Sequence, residues 1–261
     1  MLLLKKVRSP SYDCPSQSLL PELEDALALE SISKQQRFAL NVAKGQFLIC
    51  RGKYEEAESL LLKAIMQNDI DRSSYAFASA IYQIGFSYDA RENPARCKYY
   101  QQAQAMSSPE RHSDIYTSAS LGLINYCSDS TEPGIRLGKM FGVLKRYSDN
   151  GSPGELAHIH NAIGLLYGSL EQHALAAEQY LKAHEMGLQV YKGSNKVSII
   201  ISAIVSLISS GQTERAYQSI LELGTLNSEI DTPLTNFLYQ YALSIYHRKT
   251  KDISALVAIR V

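Results

Sequence analysis

Apolar and polar positions alternate along this chain with the 3.6-residue period of helices, not the two-residue period of strands. The segment from His160 to Met186, HNAIGLLYGSLEQHALAAEQYLKAHEM, shows the pattern best. Gly164 and Tyr167 lie three apart, and then Ala176, Tyr180 and Ala183 fall at i, i+4 and i+7 on one helical face. This reads as two amphipathic helices joined by a tight turn. Small residues let the helix axes approach, and a tyrosine fills the space left beside them. The β-branched run VSIIISAIVSLI at 197–208 stands in register with the other first helices and leads into a turn at Gly211, so it is expected to be a buried helix. It is too short and too rich in serine for a membrane span of about 20 residues.

The same layout recurs. Gly45 and Leu48 precede Gly52-Lys53-Tyr54-Glu55-Glu56-Ala57, with Leu61 and Ala64 behind, and Gly211 precedes Ala216, Ile220 and Leu223. Weaker copies centre on Gly85 with Tyr88, on Gly122 with Asn125, and on Lys251 to Ala255. The small residue early in each second helix falls at 57, 97, 134, 176, 216 and 255, a period near forty in which Cys97 and Gly134 replace alanine. Helix-only repeats of this length predict an all-α fold, an α-solenoid of about six antiparallel hairpins that bury their apolar faces on one another. The hairpins are expected at about 35–68, 73–107, 110–147, 153–191, 194–226 and 232–261, after a lead-in helix at 16–30. Pro94, Pro109, Pro133, Pro153 and Pro233 fall at the expected helix starts, where a missing N–H costs nothing. Ser108-Pro109 and Thr232-Pro233 read as an N-cap and a first helical residue.

These residues resemble the tetratricopeptide repeat family, best at 38–68, 157–187 and 197–225. The shared features are the mid-helix Gly45 and Gly164, the aromatic Tyr167, and the alanines 57, 176 and 216 that open the second helices. The family's proline after the second helix is missing from these three hairpins, and the period is about six residues longer than the usual 34 or so. The resemblance implies a right-handed superhelix with the first helices on its concave side. It gives one repeat domain over 16–261, after an irregular segment at 1–15, expected to continue beyond Val261.

Composition narrows the function. Lys plus Arg and Asp plus Glu number 26 each, so no net charge favours nucleic acid or an anionic membrane. There is no Gly-rich phosphate loop, HExxH, GxSxG or zinc-ligand spacing. His158 and His160 are two apart and face different ways on a helix, so no metal site is expected. No cofactor is expected either.

The cysteines leave two readings open. Cys97 near the start of one second helix and Cys127 near the end of the next first helix stand at one level of an antiparallel stack. Cys14 and Cys50 repeat that relation. Two disulfides would close loops of 30 and 36 residues and imply an oxidising compartment such as a bacterial periplasm. The alternative is four buried thiols in a cytoplasmic solenoid. The twice-matched pairing leans towards the disulfides.

The resemblance also orients a groove. Residues three before and one after each mid-helix small residue would point inward: Val42 and Gln46, Tyr82 and Phe86, Ala119 and Leu123, Asn161 and Leu165, Ile201 and Val205, Gln240 and Ser244. Tyr126, His247 and Arg248 fall a turn further on. No Lys/Asn/Arg carboxylate clamp of the chaperone-adaptor members is among these pairs. The expectation is a non-enzymatic module that binds a protein or peptide through Tyr82, Phe86, Tyr126, Asn161, Gln240, His247 and Arg248. It would be neither nucleic-acid-binding nor membrane-inserted, and a homodimer is compatible. The long repeat and paired cysteines are similar to extracytoplasmic regions that precede membrane-anchored GGDEF (diguanylate cyclase) domains. The alternatives are a cytoplasmic peptide-pheromone regulator and, further off, a helical-solenoid enzyme. The first would need an N-terminal effector domain, and the second convergent carboxylates in the groove.

Overall fold

Serine caps set where the first helices begin. Ser33 and Gln36 form a reciprocal capping box, as do Ser152 and Glu155, and the Ser74 hydroxyl accepts from the Phe77 N–H. Each satisfies a backbone donor that the first turn of a helix leaves open. The computed structural model describes residues 14–15, 17–127, 132–191, 194–230 and 233–251, and no strand occurs among them. The fold is all-α, built of successive helical hairpins as in an α-solenoid, and it divides into two compact units, Met1–Asp129 and Ser130–Val261.

In the first unit a short 3-10 turn, Gln17–Leu19, leads into α1 (Leu20–Ala28). Then follow α2 (Lys34–Cys50), α3 (Tyr54–Ile65), α4 (Tyr75–Asp89), α5 (Arg96–Ala105) and α6 (Ser113–Tyr126). The second unit holds α7 (Pro133–Tyr147), α8 (Pro153–Ser169), α9 (His173–Gly187), α10 (Ser194–Ser209), α11 (Thr213–Ile230) and α12 (Pro233–Thr250). Within each unit every helix packs on its neighbours in sequence. In addition α2 packs on α4, α4 on α6, and α10 on α12. The β-branched run at 197–208 lies inside α10, where Val197, Ile200, Ala203, Ile204 and Leu207 are fully buried.

One turn repeats in both units. Gly52, Glu92, Glu171, Gly211 and Lys251 all have left-handed backbones, with φ of 72°, 55°, 59°, 80° and 60°. They are forty residues apart within each unit. At the first, the Gly52 N–H donates to the Ile49 carbonyl and the Lys53 N–H to the Leu48 carbonyl, both at 2.9 Å. The same pair of bonds closes the turns at Glu92, Glu171 and Gly211. This Schellman-type ending satisfies the last carbonyls of the first helix and reverses the chain.

Glycines opposite bulky side chains bring the helices together. A Cβ on Gly164 would stand 2.8 Å from the Tyr180 ring, and one on Gly45 would stand 2.8 Å from Leu61. Tyr100 fills the space beside two glycines, at 3.0 Å from a Cβ on Gly85 and 2.7 Å from one on Gly122. Real Cβ atoms essentially never stand under 3.0 Å from a neighbour, so a side chain at Gly45, Gly122 or Gly164 would force the packed residue to shift, and Gly85 leaves only the tightest contact.

Two local expectations change. Pro133, Pro153 and Pro233 open their helices, but Pro109 does not. The Ser108 N–H donates to the Arg111 carbonyl and the Arg111 N–H to that of Ser108, closing a separate loop before His112 and α6. Pro94 likewise sits in a turn, where Asn93 Oδ1 accepts from the Ala95 N–H ahead of α5. The expected hairpin at 110–147 is divided between the units, α6 in one and α7 in the other. Thr232 and the second helix expected after Lys251 lie outside the described residues.

Both cysteine pairings form: Cys14–Cys50 with Cα atoms 6.0 Å apart, and Cys97–Cys127 with Cα atoms 5.5 Å apart. The two bonds fit an oxidising compartment. No described helix is long and apolar enough to cross a membrane.

Candidate functional site

The left-handed turn gives a common origin for every hairpin that contains it. Seven residues before it lie Gly45, Gly85, Gly164, Ile204 and Ser244. Counting three back and one forward returns Val42/Gln46, Tyr82/Phe86, Asn161/Leu165 and Ile201/Val205, as the sequence gives them. In α12 it returns Tyr241 and Ile245 in place of Gln240 and Ser244. The sequence-based origin there is one residue early, because α12 has no glycine either mid-helix or at its turn, where α10 has Gly211. Gln240 and Ser244 are both half-buried, whereas Tyr241 is 44% exposed.

In the first unit these positions are largely filled. Val42, Gln46, Tyr82 and Ala119 are buried. The Tyr82 ring lies 5.8 Å from that of Tyr100 and 6.4 Å from that of Phe86. Burial raises its phenol well above the ordinary value, against a hydrogen bond with Ser118. Tyr82 is therefore a core residue, with Phe86 half-buried beside it. Tyr126 is 47% exposed and carries the Arg96 guanidinium 5.1 Å from its ring centre. Arg96 pairs with Asp89 at 3.1 Å, and the Tyr100 hydroxyl donates to the same carboxylate at 3.0 Å. Burial raises the Asp89 carboxyl despite these partners. The Cys97–Cys127 bond ties the start of α5 to the end of α6 beside this cluster. Tyr126 is thus held at the surface by a cation–π contact and a covalent tether.

In the second unit the equivalent stripe is open and mostly apolar. Leu165 is 49% exposed, and Asn161, Ile201, Val205 and Ile245 are half-buried. The first helices that carry it are linked by packing: α8 and α10 both pack on α9, and α10 packs directly on α12. His247 is half-buried with its ring 5.4 Å from that of Tyr246, and Arg248 is exposed.

Polar groups elsewhere are already engaged. His160 bonds to Gln179 at 2.7 Å and is pushed below its ordinary pKa by burial, and His184 bonds to Glu222 at 2.9 Å. Burial lowers His158 to about 4. A shallow depression at the α2–α3 turn is lined by Lys53, Tyr54, Glu55, Glu56 and Arg91. There Arg91 pairs with Glu55 at 3.7 Å and with Glu58. Among the described residues, no three His, Cys, Asp or Glu side chains converge as a metal site.

The sequence missed Tyr241 and its neighbours Leu234 and Phe237. The forty-residue spacing from Gly211 to Lys251 was the signal that could have found them.

The sequence matches no family model and no curated protein. Its fold is similar to the crystal structure of BtubC (BKLC) from P. vanneervenii, with a TM-score of 0.54 and 15% identity over 88% of this chain and 93% of that one. At that identity the likeness establishes a shared helical fold and nothing more.

Proposed function

We propose that this chain is a non-enzymatic, tetratricopeptide-type module that binds a protein or peptide along the open stripe of its second unit. The observation that carries the reading is a contrast at equivalent positions. Gln46 is 8% exposed where Leu165 is 49% exposed, and Tyr82 is 6% exposed where Tyr241 is 44% exposed. Solvent-facing leucine and tyrosine in line with half-buried Ile201 and Val205 suit the apolar anchors of an extended or helical peptide. The module works in the bacterial periplasm, as the sensory or scaffolding N-terminal region of a larger signalling protein such as a membrane-anchored diguanylate cyclase. The two disulfides support that compartment.

The test is selection of a random-peptide display library on the intact protein. Leu165→Asp should weaken the selected peptides at least tenfold, while Leu175→Asp, at an equally exposed leucine on α9, should leave them unchanged. Equal binding to both variants would move the site elsewhere. Reading the gene past Val261 tests the placement, which needs a transmembrane helix and a GGDEF domain there. A thiol titration of denatured protein from its native compartment should find no free cysteine.

A further inference from the structure

The two disulfides stand at different places in the repeat. Each has one cysteine at the C-terminal end of a first helix, Cys50 as the last residue of α2 and Cys127 as the C-cap of α6. The other partners differ. Cys14 precedes the 3-10 turn at Gln17–Leu19 and lies outside a helix, whereas Cys97 is the second residue of α5. A helix N-terminus carries the positive end of the aligned peptide dipoles, and a C-terminus the negative end. The Cys97–Cys127 bond therefore joins two sulfurs in opposite electrostatic settings, and the Cys14–Cys50 bond does not.

Among the described second helices that follow a left-handed turn, α5 departs from the repeat. Five, nine and twelve residues after the turn, α3 buries Ala57, Leu61 and Ala64, and α9 buries Ala176, Tyr180 and Ala183. In α11 the same count gives Ala216, Ile220 and Leu223, again all buried. From Glu92 it gives Cys97, Gln101 and Gln104, none of which is buried. The buried residues of α5, Tyr100 and Ala103, come one place earlier, so the helix is turned by about 100° relative to the others. Tyr100 accounts for the rotation, because its ring fills the space beside both Gly85 and Gly122. The rotation carries Cys97 out of the seam that seals Ala57, Ala176 and Ala216, to a half-buried place where it meets Cys127. Its surroundings there are cationic. Arg96 and Lys98 flank it, and the first turn of α5 holds no acidic side chain. One carboxylate, Asp89, answers Arg96 at 3.1 Å, and Lys98 is exposed. A thiolate at Cys97 is stabilised by this setting, and a thiol of low pKa is the better leaving group in thiol–disulfide exchange.

We propose that Cys97–Cys127 is a redox site, opened by a dithiol reductant with Cys97 as the leaving thiolate, while Cys14–Cys50 is a structural bond. One thiolate of the reductant attacks Cys127 Sγ and forms a mixed disulfide there. The sulfur–sulfur bond breaks, and its electron pair leaves on Cys97 Sγ. The second thiol of the reductant gives its proton to solvent and attacks the reductant sulfur of the mixed disulfide. Cys127 then departs as a thiolate and takes up a proton, and the reductant is left as its own disulfide. The chain gains two electrons and the dithiol loses them. Reduction releases the first turn of α5 from the end of α6, and α5 is then held by Tyr100, Ala103 and the Arg96–Asp89 pair. Both cysteines belong to the first unit, so the redox site does not depend on peptide binding at Leu165.

Dithiothreitol added to the native protein at neutral pH, with samples quenched by iodoacetamide over time, tests the proposal. All four cysteines start in disulfides, so every labelled peptide reports a bond that has opened. Mass spectrometry should find Cys97 and Cys127 labelled at least about tenfold faster than Cys14 and Cys50. Equal rates, or faster opening of Cys14–Cys50, overturn the proposal. The leaving group is identified with single-thiol variants. In Cys127→Ser, alkylation of Cys97 against pH should have its midpoint below the ordinary thiol value of about 8.5, and adding Lys98→Gln should raise it. In Cys97→Ser, the midpoint for Cys127 should lie at or above that value. A Cys97 midpoint at or above the ordinary value overturns the assignment. If these variants fail to fold, the wild type treated with glutathione and quenched in acid serves instead. Its first mixed disulfide should be on Cys127, and glutathione found first on Cys97 overturns the assignment.

Discussion

The two units share one register and spend it differently. In the first, aromatic side chains occupy the seams: Tyr100 serves Gly85 and Gly122 together, Tyr82 and Phe86 close the inward positions, and two disulfides tie helix ends. In the second, aliphatic α10 forms the core, no cysteine is present, and Leu165, Phe237 and Tyr241 face solvent. The same helix-ending turn and register thus occur in a braced unit and an open one. The difference lies in which side chains sit beside the glycine–tyrosine seams, because those seams set helix spacing and leave the flanking positions free to vary.

The contrast can be broken most strongly through the covalent braces. Replacing Cys97 and Cys127 by serine releases a 30-residue loop in the unfolded chain and should cost about 3–4 kcal/mol. Hydrogen exchange read helix by helix should show the loss in α4 to α6. Equal loss in α8 to α10 would show that the units do not unfold separately.

Acid should act on the other unit. Burial lowers His158 from 6.5 to about 4 and also lowers His160, both on α8. The unfolded chain takes up these protons at higher pH than the folded one does. Stability is therefore present above 6.5 and is lost as pH falls from 6.5 towards 4. The loss from His158 reaches up to about 3 kcal/mol. Exchange protection of α8 and α9 should fall across this window, and the His158→Gln variant should flatten the slope.

Glycine substitutions sharpen the seam argument within the second unit. Gly164→Ala forces a Cβ to 2.8 Å from the Tyr180 ring and should cost about 1–3 kcal/mol. Gly138→Ala, in α7 with nothing within 4 Å of the added Cβ, should gain about 0.5–1 kcal/mol by the same urea-melt measurement. A similar cost at both sites would mean that the seam is not held by close approach.

The smallest effects belong to the shared turn. Glu171→Gly removes a side chain from a left-handed backbone and should stabilise by up to about 1 kcal/mol, while Gly211→Ala should destabilise by about as much. If the signs are not opposite, the turns at Glu171 and Gly211 are not equivalent.

Much of this was legible from residue order. Gly164 and Tyr180 announced their contact, and the small residues Ala57, Ala176 and Ala216, all fully buried, marked the second helices. The cysteine pairs were legible because helix rise fixes the level of each residue in an antiparallel stack. Pro109 was not, since a proline fits a loop before a helix as well as a helix start. Tyr241 was missed because α12 has neither a mid-helix glycine nor, as α10 has in Gly211, a glycine at the turn, and only the left-handed Lys251 restores the count. Tyr82 looked like a groove residue because its helical position is inward, while its burial depends on Tyr100 and Phe86 packing around it.

Sequence alone therefore determined the helices, their forty-residue period, the close seams and which cysteines stand level with which, since all of these follow from spacing along the chain, while the structure decided for disulfides over free thiols. Only the tertiary structure decided which inward positions are sealed and which are open. Burial is set by the neighbours that helices bring from elsewhere in the chain, and no local pattern records that Gln46 finds them and Leu165 does not.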